Sequence, residues 1–486
     1  MKINLKDIKS LYLNYQIPLT LGISTMFFVL ACFWTPFMVF AWVVLGATFI
    51  FSNIHNILCY VIYFMMFSRN TIFFVGVGII AFIAILTKYI IDLVKKRVKT
   101  YIIPLIFTTI FCIFFIPITF AHLDMFHMYH TEFQGIVQGL LFIGILYVIY
   151  LLFCYKEQIK LSECFNFLFY GIIASGVVCL ILFFTESAKI AFYDVNGFIY
   201  KPVKDLIFLV DEGTNRLMLL SYHANHLASY CMYIMTYAAY YLMNNKFSDD
   251  KKSYYYNAVM LVISTIIGIL TMSKAFLITT ALIFLYLAVF FVIKFKKKSL
   301  YVIIPASIIF IVGVIVFWGV FEKIINRFFV YEKGESFFGI LTTGRSVIWS
   351  QYINDLLSSP WKLLFGKGLF QVEIITIGPH NMLLEIMYRV GIIGVILLGV
   401  LCYLYARETN GNLKFSFKRL LPLLIFLVHS IQEANFDERF LFLIFAIMLL
   451  YEQKNDKKVV VENEKQNEID NLEPKTKQEN IIVDEK

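Results

Sequence analysis

Charge is scarce in this chain: 15% of its 486 residues are Asp, Glu, Lys or Arg, against about a quarter in an ordinary soluble domain. So few charges cannot clothe a water-facing surface of this size, which excludes a soluble globular enzyme. Cysteine is present but unpatterned. The eight cysteines are scattered, nearly all inside apolar runs, with no CxxC and no paired spacing in a loop. That excludes a disulfide-framed domain and leaves the thiols as small buried hydrophobes. There is no DxD pair to hold a metal on a nucleotide sugar, and no GxGxxG or Walker sequence. A repeat of fixed period is missing, as are matching halves, which disfavours a transporter built from inverted repeats. No small-residue cleavage site follows the polar, basic start "MKINLKDIKSLYLNYQ", so the first helix is expected to be retained.

What is abundant is apolar sequence. Hydrophobic residues make up 60% of the chain and aromatic residues 18%. Runs such as Thr71–Val94 and Phe133–Cys154 exceed the roughly 18–20 residues that mark a membrane-spanning helix. Backbone in hydrocarbon must satisfy its own hydrogen bonds, and the alternation of a closed barrel is absent, so the fold class is all-α, a polytopic transmembrane helical bundle. The length rule gives about fourteen candidate spans. They are 17–34, 36–52, 54–68, 71–94, 101–121, 133–154, 163–186, 217–243, 255–272, 274–294, 300–320, 379–405, 418–432 and 436–452. Some are short, and re-entrant segments would lower the number to about 12.

The net charge of +9 raises nucleic acid as a partner, but in a membrane protein Lys and Arg gather on cytoplasmic loops. The segments 95–100, 155–160, 244–253, 294–299 and 414–419 are all basic. With about fourteen spans and an inside N-terminus, every one falls on the cytoplasmic side. The connections 122–132, 187–216 and 321–378 then lie outside. The chain therefore divides into a bundle over 1–453 and a tail over 454–486. The tail is polar and free of aromatics, so it is expected to be disordered and cytoplasmic.

The large outer loop carries "TTGRSVIWSQYINDLLSSPW", with Ile348, Trp349, Tyr352, Ile353, Leu356 and Leu357 at helical spacing and Ser358-Ser359-Pro360 as a stop. This predicts an amphipathic helix lying on the membrane or over the bundle. Arg345 stands at its start, where a cation is unfavourable unless an anion lies near; a solvated surface Arg is the plain alternative. "LFGKGLF" follows as a bend.

The stretch "IGPHNMLLEIMYRVGIIGV" then enters a span. Pro379 suits a first helical turn, with His380 and Asn381 at its outer end and Glu385 and Arg389 able to pair at i+4. An interfacial His can serve as a general base, or simply bond a loop carbonyl. Arg216 is expected to open a span, with His223, Asn225 and His226 beyond it, and Lys274 to sit in a tight outer turn. Ionisable groups at membrane depth are functional candidates, snorkelling being the alternative. Arg216, Lys274, Arg345 and His380 map to one face, which points to an anionic site. His122, Asp124, His127, His130 and Glu132 form a less favoured metal-like cluster in an outer loop, and Asp194, Asp211 and Glu212 are further outer acids.

Arg216 with Asn225, Ser273-Lys274, "TGRSVIW", "LFGKGLF" and "HNMLLEIMYRVGIIG", in that order over about 216–400, resemble the O-antigen ligase and polymerase family of bacterial membrane glycosyltransferases. Position 274 is usually Arg in that family; Lys keeps the charge but loses the bidentate fork. The resemblance implies an enzyme of the bacterial plasma membrane with an extracytoplasmic active site. It implies transfer from an undecaprenyl-diphosphate-linked oligosaccharide to a second repeat unit, building a capsular or O-antigen-type polysaccharide, with no metal, nucleotide or other cofactor. In that reading His380 is the base. Arg216, Lys274, Arg345, Asn225 and Asn381 contact the diphosphate and substrate, and Glu385 and Arg389 form a brace. Expected partners are the lipid-linked donor and acceptor, membrane lipids and a chain-length regulator, and not nucleic acid. A ligase using another acceptor, or a lipid-linked oligosaccharide flippase, are the alternatives.

Overall fold

The computed structural model describes residues 5–121, 144, 146–185, 187–194, 197–211, 214–221, 223–296, 315, 318–319, 322, 325–326, 345–368, 380–410 and 417–432. The helices of the first half are α1 (Leu5–Ala31), α2 (Phe37–Phe51), α3 (Ile54–Phe64), α4 (Thr71–Val94), α5 (Ile102–Ala121) and α6 (Leu161–Phe183). Residues 146–154 are helical as well. Two antiparallel hairpins follow, β1 (Lys189–Asp194) with β2 (Gly197–Pro202) and β3 (Phe208–Asp211) with β4 (Thr214–Leu217). The second half has α7 (Ala224–Asn244), α8 (Lys251–Leu270), α9 (Lys274–Phe295), α10 (Arg345–Leu357), α11 (Pro360–Phe365), α12 (Met382–Asn410) and α13 (Phe417–Gln432).

Five of the described helices are long and apolar enough to cross a membrane: 71–94, 161–183, 251–270, 274–295 and 382–404. The chain is a helical membrane protein. Most of the expected spans overlap observed helices where the residues are described, but 217–243 does not open as one: Leu217 ends a strand and the helix starts at Ala224. The span 436–452, nearly all of 300–320, most of the outer loop and the tail 454–486 lie outside the described residues. So do Pro379, Glu212 and the His122–Glu132 cluster.

Side-chain caps set several helix starts by accepting the unsatisfied N–H groups of a first turn. Asn53 accepts from the Asn56 N–H (2.7 Å), Asn70 from Phe73 (3.2 Å) and Asp250 from Ser253 (3.0 Å). α2, at 15 residues, is about 22 Å long and too short to cross roughly 30 Å of hydrocarbon. α3 is shorter still and buried on almost every face, as befits a helix apolar all round. Phe28, Phe64, Phe67 and Phe73 interlock beside it, with ring centroids 4.9–5.4 Å apart for Phe28–Phe67, Phe28–Phe73 and Phe64–Phe73.

Hydrogen bonds sort the connections into two ends. At one end Lys189 N–H donates to the Cys32 carbonyl (2.7 Å) and Arg69 N–H to the Leu220 carbonyl (2.8 Å). At the other end Lys88 Nζ donates to the Ile50 carbonyl (2.9 Å), and the Tyr155 hydroxyl to Asp92 Oδ2 (2.8 Å). This is the alternation that successive crossings produce, and the basic segments 95–100 and 155–160 belong to the second end. The hairpins are the departure from an all-helical chain: the connection 187–216, read as an outer loop, is largely β-structure at the first end.

Candidate functional site

The first end gathers polar groups around Arg216. Its expected place at the opening of a span is corrected: Arg216 lies on β4, opposite Leu209, and the helix begins only at Ala224. The side chain is 4% exposed. Its Nε donates to the Thr271 carbonyl at the end of α8 (3.0 Å), and one Nη donates to Asn225 Oδ1 on α7. A guanidinium on a helix C-terminal carbonyl is favourable against the dipole. The same contacts draw the start of α7, the end of α8 and the start of α9 together. Lys274 is the first residue of α9 and half-buried, behind Ser273. A cation at a helix N-terminus raises an already positive potential and favours an anion there.

His223 caps α7, its Nδ1 accepting from Asn225 N–H (3.2 Å). One turn deeper, the Ser229 hydroxyl donates to the Asn225 carbonyl (2.8 Å) and stands 2.7 Å from His429 Nε2 on α13. His429 is fully buried, and its ring lies edge-on to Tyr233. Sequence reasoning missed His429, although a His within an apolar span is itself a signal.

His380 precedes α12. The helix starts at Met382, and Asn381 is its cap: Asn381 Oδ1 accepts from Leu384 N–H (3.1 Å), and the Asn381 carbonyl from Glu385 N–H (2.9 Å). Asn381 and His380 therefore lie before the helix, not within its first turn as expected, because the Asn side chain satisfies the first-turn donor. His380 takes a left-handed φ of 47°. Leu219 (φ 53°) and Met272 (φ 50°) do the same just before α7 and α9. Each such residue stores roughly 1–3 kcal/mol of backbone strain, and strain of this kind concentrates at functional sites. α13 follows α12 after a six-residue connection and so runs back beside it. The contact of His429 with Ser229 then places the start of α12 at the Arg216 end.

Glu385 and Arg389 pair as their spacing implied, at 2.6 Å and both buried. Arg345 opens α10, half-buried. α10 lies over the first half of α12 and packs Tyr352 and Leu356, with Ile348 and Trp349, against Leu384 and Tyr388. Ile353 and Leu357, expected on the same face, remain exposed beside Val347 and Trp361, an apolar edge for an interfacial helix. The "LFGKGLF" bend does more than turn the chain. Gly366 (φ 73°) and Gly391 (φ 63°) face each other's backbone so closely that a Cβ on either would overlap it. Lys367 N–H donates to the Tyr388 carbonyl (2.9 Å) and Gly368 N–H to the Arg389 carbonyl (2.8 Å), stitching the bend to a break in α12 at Gly391.

Asp355 locks this cap. It accepts from Lys362 (2.8 Å), Lys367 (2.6 Å) and the Tyr388 hydroxyl (2.6 Å). Burial alone would raise its pKa, but these three donors hold the carboxyl well below the usual carboxylate range. A depressed folded pKa stabilises the cap above the unfolded value of about 4, and that stability drains away as pH falls below it. Proteolysis at 345–368 is expected to be slow at neutral pH and to quicken only below about pH 4. In Asp355→Asn it is expected to be fast at neutral pH and to show no acid step.

The structure thus brings Arg216, Asn225 and Lys274 into one cluster, and sets Asn381, Glu385 and Arg389 with His380 at the capped start of α12, while Arg345 opens the helix α10 that packs over it. Asp194 and Asp211 lie on β1 and β3. No protein-family model matches the chain, and no curated protein matches it either.

Proposed function

We propose that this chain is a glycosyltransferase of the bacterial plasma membrane, similar to the O-antigen ligase and polymerase family. In this reading it joins undecaprenyl-diphosphate-linked repeat units into a surface polysaccharide at the outer face. The observation that carries the reading is the Arg216 cluster, where the starts of two helices, a guanidinium and an ammonium converge at one end of an apolar bundle. Such a place suits a diphosphate whose lipid tail stays in the membrane.

The chemistry needs little more. An acceptor hydroxyl attacks the anomeric carbon of the donor, the bond from that carbon to the phosphate oxygen breaks, and polyprenyl diphosphate leaves with the electron pair. Arg216 and Lys274, with Arg345, stabilise the charge on the departing oxygen. His380 takes the hydroxyl proton. Direct displacement inverts the anomeric centre. A chain-length regulator is the expected protein partner.

Removing one charge-assisted phosphate contact costs about 1.5–3 kcal/mol, so Lys274→Ala is expected to slow transfer about ten- to a hundredfold. Lys274→Arg should lose less, since it keeps the charge and adds the fork. Arg216→Ala should lose at least as much, and some folded protein too, because Arg216 also ties α7 to α8. Wild-type rates in Lys274→Ala, per folded molecule, would remove Lys274 from the site. The reading itself is tested with purified protein in liposomes bearing lipid-linked repeat units. A polymer ladder supports a polymerase, and transfer to a different added acceptor a ligase. Relocation of unchanged glycolipid between leaflets would mean a flippase and would overturn the reading.

A further inference from the structure

The opposite end of the bundle carries a second constellation that glycosyl transfer does not use. His55 and Cys59 lie one turn apart on α3, and Cys164 comes from the first turn of α6. One ligand atom from each lies within 4.8 Å of the others, and all three residues are buried. Cys59 Sγ is 3.8 Å from His55 Nε2 and 4.0 Å from Nδ1. Ligand atoms on one tetrahedral zinc stand about 3.6–3.8 Å apart, given bonds of about 2.0–2.3 Å, so small side-chain adjustments would close the set. Glu163, next to Cys164, bonds His55 Nε2 at 2.8 Å, which leaves Nδ1, 4.0 Å from Cys59 Sγ, to face the cation; Nδ1 now accepts a long bond from the Lys160 N–H (3.4 Å), which the cation would replace. A carboxylate behind a ligating imidazole fixes its tautomer and orientation, as in many metal sites.

Packing alone explains Cys32, Cys179 and Cys231, each a small hydrophobe in a helix interface. It does not explain an acid-bound His set beside two thiols from separate helices. The charge pattern assigns this end to the cytoplasm, where thiols stay reduced.

We propose that His55, Cys59 and Cys164 bind a thiophilic divalent cation, zinc(II) fitting the ligand set best, with Glu163 orienting the imidazole and solvent completing the sphere. Binding releases two thiol protons to solvent and joins α3, the buried centre of the first half, to α6. The inference does not rest on the glycosyl-transfer reading.

The test uses the full-length protein in detergent, stripped of metal and titrated with cobalt(II). Wild type is expected to develop tetrahedral d–d bands and a thiolate-to-cobalt charge-transfer band that zinc(II) erases. Cys59→Ser and Cys164→Ser should weaken or abolish the charge-transfer band, Glu163→Gln should lower affinity about ten- to a hundredfold, and Cys402→Ser should change nothing. Should the Ser variants fail to fold, wild type still decides the matter. Zinc(II) must then protect Cys59 and Cys164, and not Cys402, from alkylation mapped by mass spectrometry. A wild type without the charge-transfer band, alkylation indifferent to zinc, or a Cys59–Cys164 disulfide trapped directly from cells would each overturn the proposal.

Discussion

His380→Ala is expected to reach the membrane, fold and bind the lipid-linked donor, yet lose nearly all transfer. Removing a general base typically costs roughly 10²–10⁴-fold in rate. The backbone gives a cleaner companion variant. His380 holds a left-handed φ, which Asn tolerates better than most residues. His380→Asn therefore keeps the turn into α12 while removing the base, and it should fall as far as His380→Ala. The measurement is initial rate per folded molecule across pH. In wild type the rate should rise as His380 loses its proton, and that limb should vanish in both variants. If either keeps more than about a tenth of wild-type turnover, a loss far below the general-base range, His380 is not the base. Asp194, Asp211 or Glu212 would then be the next candidates.

Glu385→Ala should fail differently, in folding rather than chemistry. Glu385 and Arg389 pair at 2.6 Å with both side chains about 11% exposed, at the mouth of an apolar bundle. Removing one partner strands the other charge away from water, at a cost of about 3–5 kcal/mol, a large share of a protein's net stability. Glu385→Ala and Arg389→Ala should each leave little folded protein. Replacing both with Leu removes both charges together and should recover much of the loss. The readout is the amount of monodisperse protein extracted from membranes and its thermal midpoint. If Glu385→Ala is as abundant and as stable as wild type but inactive, Glu385 belongs to the chemistry and not to the brace.

What the sequence made legible was local. Long apolar runs mark the helices and i+4 spacing marks the Glu385–Arg389 pair, whereas on α10 the apolar spacing marks the inward Ile348, Trp349, Tyr352 and Leu356 but also the exposed Ile353 and Leu357. The two hairpins depart from the expectation of a plain connection between spans, although Asn196-Gly197 between apolar runs is a recognised hairpin signal. Arg216 reads as a helix start because an apolar run follows it directly. Other features were beyond reach because they join residues far apart in the chain. Ser229 and His429 are 200 positions apart, and His55 and Glu163 are 108 apart. Asp355 carries no local signal of its own: Lys367 and Tyr388 meet it only in the fold. No periodicity or local motif encodes such meetings; they depend on which helices pack together.

On the proposed reading, this chain breaks the sugar–phosphate bond of a polyprenyl-diphosphate glycan and passes the sugar to a hydroxyl. The most direct test is polyprenyl diphosphate released by the purified wild-type protein in liposomes supplied only with the lipid-linked repeat unit. Release is expected in step with each new glycosidic bond, with near-complete loss of both in His380→Asn. A repeat unit that remains intact on its carrier, in whichever leaflet it is found, would contradict that reading.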